Sequence, residues 1–186
     1  MVTEVWLWER RIGVAALADD ESVASFQYVP EFVGSGIEVS PLKMPLDARI
    51  YRFPELPPVA FHGLPGMLAD SLPDRFGNAL IDAWLARQGR RPETFSALER
   101  LCYIGKRGMG ALEYRPARGP RQTRSAEIDI GELAALAAEV LAEREGLQGN
   151  LGKNTREEAL RDILRVGTSA GGARAKAIIA WNPATN

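Results

Sequence analysis

The chain has 186 residues, 46% of them apolar, so it is long enough to bury the hydrophobic core of one domain or slightly more. Its 23 Lys and Arg nearly balance its 24 Asp and Glu, so the chain lacks the overall basic excess that is typical of a dedicated nucleic-acid-binding protein. A single cysteine excludes an internal disulfide, and the absence of a long apolar run or a leader-like start predicts a cytoplasmic protein with no membrane partner.

The N-terminal residues carry the pattern of a β-sheet. Residues 5–8 and 9–17 are two β-prone runs on either side of a charged bend, which is typical of a hairpin. Residues 26–29 alternate apolar and polar side chains and predict a third strand, ended by Pro30. Together these runs predict a small antiparallel sheet.

Prolines and a helical period dominate the next stretch. Residues 41–58 contain five prolines and are predicted to be extended or looped. Residues 65–86 have apolar side chains at helical spacing, which predicts a short helix, a break at 71–73, and an amphipathic helix that Pro73 starts. Residues 94–101 predict another short helix, and residues 111–114 predict a strand.

The remaining residues predict a second unit. Arg, Pro and Gly without periodicity mark residues 115–125 as a linker, so we expect one unit over residues 1–120 and another over residues 121–186. In the second unit, residues 130–145 predict a helix capped by Asp129. A helical turn at 156–160, a glycine-rich loop and a strand at 177–181 complete the predicted elements.

The glycine-rich loop, residues 166–176, is the first candidate for chemistry. Glycines let backbone amides approach an anion closely, and Arg174 and Lys176 add positive charge. A Walker-type loop requires a lysine directly after the last glycine and a following helix, whereas Lys176 here leads into a strand. The residues alone leave two interpretations open, an ordinary hairpin and a kinase-like loop over a nucleotide.

Three blocks of sequence bear on that choice. They are residues 63–77 (GLPGMLADSLPDRFG), residues 104–113 (IGKRGMGALE) and residues 169–176 (SAGGARAK), in this order. Together they resemble the N-terminal part of the HipA-like serine/threonine kinases, the toxins of bacterial toxin-antitoxin systems. The similarity covers essentially the whole chain, and the combination of blocks is specific although each block alone is not.

The resemblance implies a fold and a site. The fold is α+β, with a small N-terminal antiparallel β-subdomain and helices, followed by the first loop and strand of a core related to protein kinases and phosphatidylinositol kinases. Ser169 matches the serine that the family autophosphorylates, which ejects the loop and switches the kinase off. In the family the lysine that holds the phosphates comes from a later strand. The implied ATP-covering loop comprises Ala170, Gly171, Gly172, Ala173, Arg174 and Lys176.

The same resemblance predicts what this chain lacks. The family's catalytic and metal-binding aspartates have no counterpart here, so we expect the chain to be the front portion of a larger protein that uses ATP and Mg²⁺. Phosphoryl transfer depends on bridging metal ions and a positioned carboxylate. We therefore expect no catalytic residue, no metal site and no kinase activity in this chain alone.

The resemblance also implies partners. They are a helix-turn-helix antitoxin of the HipB-like kind and the protein substrate of the full-length kinase, with DNA reached only through the antitoxin. A rival hypothesis is a stand-alone, non-enzymatic, antitoxin-like module that regulates a separate kinase. The tail separates the two hypotheses, because a binding module has no need of residues 169–176.

Other conspicuous residues have structural explanations that we favour. Asp70 and Asp74 flank a predicted helix break and are expected to cap or to be solvated rather than to bind metal. His62 has no second ligand nearby, and Cys102 lies in an apolar run that predicts a buried thiol. The tryptophans Trp6, Trp8 and Trp84 are interpreted as core or interface anchors. A cluster of basic residues is interpreted as solvated loop charge: Lys106, Arg107, Arg115, Arg118, Arg121 and Arg124.

Overall fold

The computed structural model describes residues 1–87, 89–108 and 110–119. They fall into two compact units, one made of residues 1–72 and 95–119 and the other including residues 73–94. Among these described residues, no helix combines the length and apolar character needed to cross a membrane. The predicted helices and strand between residues 130 and 181 lie outside the described residues.

A five-stranded antiparallel sheet forms the first unit, in the order β4-β3-β2-β1-β5. The predicted hairpin, the third strand and the strand predicted at residues 111–114 are all present, which confirms the α+β class for the described residues. Strand β4 was not predicted, because two residues are too few to show an alternation. The strands are β1 (Val2–Leu7), β2 (Arg10–Ala16), β3 (Ser25–Tyr28), β4 (Ile50–Tyr51) and β5 (Leu112–Arg115).

Five α-helices and one 3₁₀ turn accompany the sheet. Helices α1 and α2 were not predicted. A proline occupies the first helical turn of each, where it sets φ without removing a needed donor. The elements are α1 (Pro30–Val33), α2 (Pro58–Phe61), α3 (Gly66–Ala69), α4 (Arg75–Arg87), the 3₁₀ turn Pro92–Thr94 and α5 (Ala97–Ile104).

Side-chain caps set the starts of the two longest helices. Helix α4 begins after Asp74 rather than at Pro73, because the backbone N–H of Gly77 donates to Asp74 Oδ1 at 2.8 Å. Helix α5 begins three residues later than predicted. Ser96 and Glu99 form a capping box there: the Glu99 N–H donates to Ser96 Oγ at 3.2 Å, and the Ser96 N–H donates to Glu99 Oε2 at 2.9 Å.

The hydrophobic core of the first unit lies between one face of the sheet and helix α5. Alternate residues of β1 point into it, so that Thr3, Val5 and Leu7 are buried while their neighbours are not. From α5, Leu98, Leu101 and Ile104 belong to the same buried cluster. The largest fully buried side chains of the described residues are Tyr114, Phe26, Ile12, Met44, Leu68, Leu80, Ile81, Leu98, Leu101, Ile104 and Val5.

A close backbone contact joins the loop before β3 to the loop after α2. The Ala24 N–H donates to the Gly63 carbonyl at 2.8 Å. Gly63 has φ +73°, and a Cβ at this position would lie 1.9 Å from the Ser22 carbonyl oxygen. The position therefore requires glycine for both its conformation and its space.

Tyr28 makes the stability of this core depend on pH in the alkaline range. Its hydroxyl donates to the Met44 carbonyl at 2.9 Å, and burial raises its pKa from 10.0 to about 12. The folded state then keeps the phenolic proton between pH 10 and 12 while the unfolded chain releases it, so stability is full below pH 10 and falls as pH rises through this window.

We expect Tyr28→Phe to remove this part of the alkaline destabilisation. From the two pKa values, the contribution lost by the wild type at pH 11 is about 1.4 kcal/mol. Urea unfolding of both proteins at pH 8 and pH 11 measures it, and the stability gap between them should shrink by that amount. Parallel pH dependences in the two proteins would contradict the assignment.

Candidate functional site

The glycine-rich site predicted from the sequence lies outside the described residues. This applies to Ser169 and to each implied ATP-loop residue, Ala170, Gly171, Gly172, Ala173, Arg174 and Lys176. Their roles stay predictions. The described residues include the block 63–77 and, except for residue 109, the block 104–113.

The solvent-facing side of β1, β2 and β5 carries a connected group of charged side chains around Trp6, which we call the outer-face cluster (Glu4, Trp6, Arg11, Glu113 and Arg115). Glu4 accepts from Arg11 Nη1 at 2.9 Å and from Trp6 Nε1 at 3.0 Å. The Arg11 hydrogen bond, followed by that of Trp6, lowers the pKa of the Glu4 carboxyl. The Arg115 guanidinium carbon lies 3.8 Å from the Trp6 ring centroid, a close cation–π contact.

Three members of the expected basic cluster lie near carboxylates. Lys106 Nζ and Arg115 Nη2 each lie 3.3 Å from Glu113 Oε2, and Arg118 Nη1 lies 3.9 Å from Glu99 Oε1. Exposed pairs of this kind contribute little stability. Two carboxylates face these three cations, so the pairing reduces the local positive charge without cancelling it; Arg121 and Arg124 lie outside the described residues.

Arg107 departs from the prediction of solvated loop charge. Its side chain is half-buried, with Nε donating to the Ile104 carbonyl at 3.2 Å and Nη2 donating to the Tyr103 carbonyl. The guanidinium carbon lies 5.3 Å from the Tyr103 ring centroid, and burial lowers the pKa of the guanidinium. Arg107 thus works as a C-terminal cap of α5.

The segment after β5 completes this cap. The Arg118 N–H donates to the Cys102 carbonyl at 2.8 Å, and a Cβ on Gly119 would lie 1.9 Å from Arg107 Nη2. The Gly105 N–H donates a hydrogen bond to the Leu101 carbonyl at 2.9 Å. We call this arrangement the α5 clasp (Gly105, Arg107, Arg118 and Gly119). It fixes where the chain leaves the first unit.

Thr3 links the three elements that meet at this edge. Its hydroxyl donates to the Arg115 carbonyl at 2.9 Å, and its Oγ1 lies 2.9 Å from Cys102 Sγ, so β1, β5 and α5 share one buried polar contact. Burial raises the pKa of the Cys102 thiol. The sequence prediction of a buried cysteine is confirmed.

The remaining candidate residues serve structural roles. Asp74 caps α4, and Asp70 follows the last residue of α3. His62 ends α2 in the left-handed region with φ 51°. No group of His, Cys, Asp and Glu that could hold a metal ion is found within residues 1–87, 89–108 and 110–119. Trp6 belongs to the outer-face cluster, whereas Trp8 at the hairpin turn is 71% exposed.

A comparison with protein families shows which family this chain resembles. The model described as the HipA N-terminal domain matches residues 3–115, more than half of the chain, and this range includes the sequence blocks 63–77 and 104–113. The chain belongs to the HipA family. Membership relates it to the toxins of toxin-antitoxin systems, which in general associate with HipB-like antitoxins. No curated protein and no solved structure matches this HipA-family chain.

Two features of this HipA N-terminal domain were not predicted from the sequence. The α5 clasp depends on backbone carbonyls that converge only in the fold, so a sequence pattern cannot show it. The Trp8 turn depends on the register that pairs Leu7 with Arg10, and its two-residue loop lacks the Asn-Gly that usually marks such a turn in a sequence.

Proposed function

We propose that the chain is the N-terminal part of a HipA-like serine/threonine kinase toxin. The match of the HipA N-terminal domain over residues 3–115 carries this proposal. The order of the three sequence blocks supports its extension to residues 169–176, which follow the matched domain as the ATP-covering loop of the family does. In this assignment the first unit regulates the kinase and contacts a helix-turn-helix antitoxin, and the later residues open the ATP site.

Ser169 tests the kinase part of this proposal. In the kinase to which these residues belong, expressed in bacteria without antitoxin, mass spectrometry should find phosphate on the peptide that contains Ser169. Ser169→Ala should remove that phosphate, whereas Thr168→Ala, a matched neighbouring hydroxyl, should leave it in place. A Ser169 peptide without phosphate in protein that phosphorylates its substrate would contradict the assigned role.

Binding to the antitoxin tests the regulatory part. Isothermal titration of the full chain with its purified HipB-like antitoxin should give a defined stoichiometry and a measurable Kd. The same titration with a helix-turn-helix protein from an unrelated system is the control for non-specific association. Equal heats from both proteins would refute a specific regulatory contact.

A further inference from the structure

The turn between β1 and β2 holds two residues in an unusual backbone conformation. Leu7 pairs with Arg10, so Trp8 and Glu9 form a two-residue hairpin loop, with φ 47° and 64°. Two positive φ angles characterise the type I′ turn, in which Asn-Gly and similar pairs predominate. A tryptophan here is strained, because its Cβ crowds the backbone in the left-handed region.

Packing does not offset this strain. Trp8 is 71% exposed, and it is the one aromatic residue among the exposed large hydrophobic residues of the described part of the chain. Trp6, two residues earlier, differs in both respects, since its ring contacts Arg115 and its indole N–H donates to Glu4. Residues held in sparsely populated backbone conformations concentrate at binding sites and ligand clamps. Trp8 therefore costs stability in the free protein through its backbone and through its exposed indole.

The small area that the turn can bury restricts the shape of a partner that could bind it. A buried indole contributes about 150–250 Å², whereas a stable protein interface buries about 1,200–2,000 Å² in total. Two copies of the chain that met turn to turn would cover too little surface to associate stably. A partner with a cleft can enclose the indole and also contact the flanking strands, which is how tryptophan hot spots are buried.

Charge next to the turn restricts the partner further. Glu9 and Arg10 are exposed neighbours of opposite sign, and neither forms an ion pair within the described residues. We propose that Trp8 anchors a protein partner that offers an apolar cleft for the indole, with an acidic group facing Arg10 and a basic group facing Glu9. The inference rests on the proposed function, which supplies the HipB-like antitoxin as that partner.

Trp8→Asn separates this role from a structural one. Asparagine tolerates the left-handed region, so the variant should fold with an unchanged or higher melting temperature. Loss of a hot-spot tryptophan should raise the Kd for purified HipB-like antitoxin at least about 30-fold in isothermal titration with the full chain. The matched control is Leu42→Asn, a change at an apolar residue that is 92% exposed, and it should bind as the wild type does.

A second variant keeps the turn intact. Arg10→Glu should weaken binding about tenfold, because the new carboxylate repels the acidic group that the proposal places opposite Arg10. The anchor is refuted if wild-type chain binds the antitoxin and Trp8→Asn binds equally well, an outcome that leaves the proposed function standing. A lower melting temperature for Trp8→Asn would overturn the strain argument. Wild-type chain that fails to bind at all would instead refute the proposed association, and Trp8-dependent self-association in sedimentation would overturn the choice of partner in favour of a second copy.

Discussion

Gly63→Ala is expected to destabilise the protein by about 3 to 5 kcal/mol, a large share of the stability of a small domain. Two costs add at this position. Alanine is strained at φ +73°, and its Cβ would lie 1.9 Å from the Ser22 carbonyl oxygen, which belongs to rigid backbone rather than to a flexible side chain. The loops must separate to admit it, which weakens the hydrogen bond from Ala24 to Gly63.

Two other glycines separate these costs in the same urea-unfolding experiment. Gly36 has φ +71° with open space around it, so Gly36→Ala should report strain alone, about 1 kcal/mol. Gly34 has φ −75° and equally open space, so Gly34→Ala should be neutral or slightly stabilising. If Gly63→Ala costs no more than Gly36→Ala, the steric part of the explanation is wrong.

Arg107→Met is expected to cost about 2 to 3 kcal/mol, although a mobile surface arginine would cost almost nothing. Methionine fills much of the same space but cannot donate, so the Tyr103 carbonyl loses its Arg107 partner and the Ile104 carbonyl keeps the backbone N–H of residue 107 alone. The cation–π contact with Tyr103 is lost as well.

Arg118→Met is the matched control, since it removes a half-exposed arginine from the same clasp whose nearest carboxylate oxygen lies 3.9 Å away. Its backbone N–H, which makes the contact to Cys102, is unaffected by the substitution. We expect a change within about 0.5 kcal/mol. Comparable losses in the two variants, measured by thermal unfolding, would show that Arg107 acts through its charge and not through the carbonyls.

Most strands of the sheet could be predicted from the sequence because the residue pattern of a strand is local. The runs of β-prone residues placed β2, β3 and β5 within one residue of their observed bounds, whereas β1 begins three residues earlier than predicted. Helix α5 was displaced by three residues, because the apolar period continues across the turn before it and only the reciprocal bonds of Ser96 and Glu99 decide where the helix starts. The short helices α1 and α2 were missed because a proline that starts a helix looks like one that interrupts it.

The surfaces were harder to predict than the elements. Arg107 looked like loop charge in a segment rich in glycine, and its burial depends on carbonyls that α5 and the chain after β5 bring together. Trp8 was grouped with Trp6 and Trp84 on residue type alone. What distinguishes Trp8 is the sign of its φ, which the register of β1 against β2 fixes and which composition does not encode.

Chemical labelling of Cys102 can report how often the first unit opens at the edge where α5 meets β1 and β5. It is the single cysteine of the chain, its side chain is 0% exposed, and its sulfur rests against Thr3. A thiol reagent in excess can reach it only when α5 separates from β1 and β5, so the rate of labelling under native conditions measures how often that edge opens. Kinetics of this kind need no engineered probe, and they would detect partner binding at this edge as slower labelling.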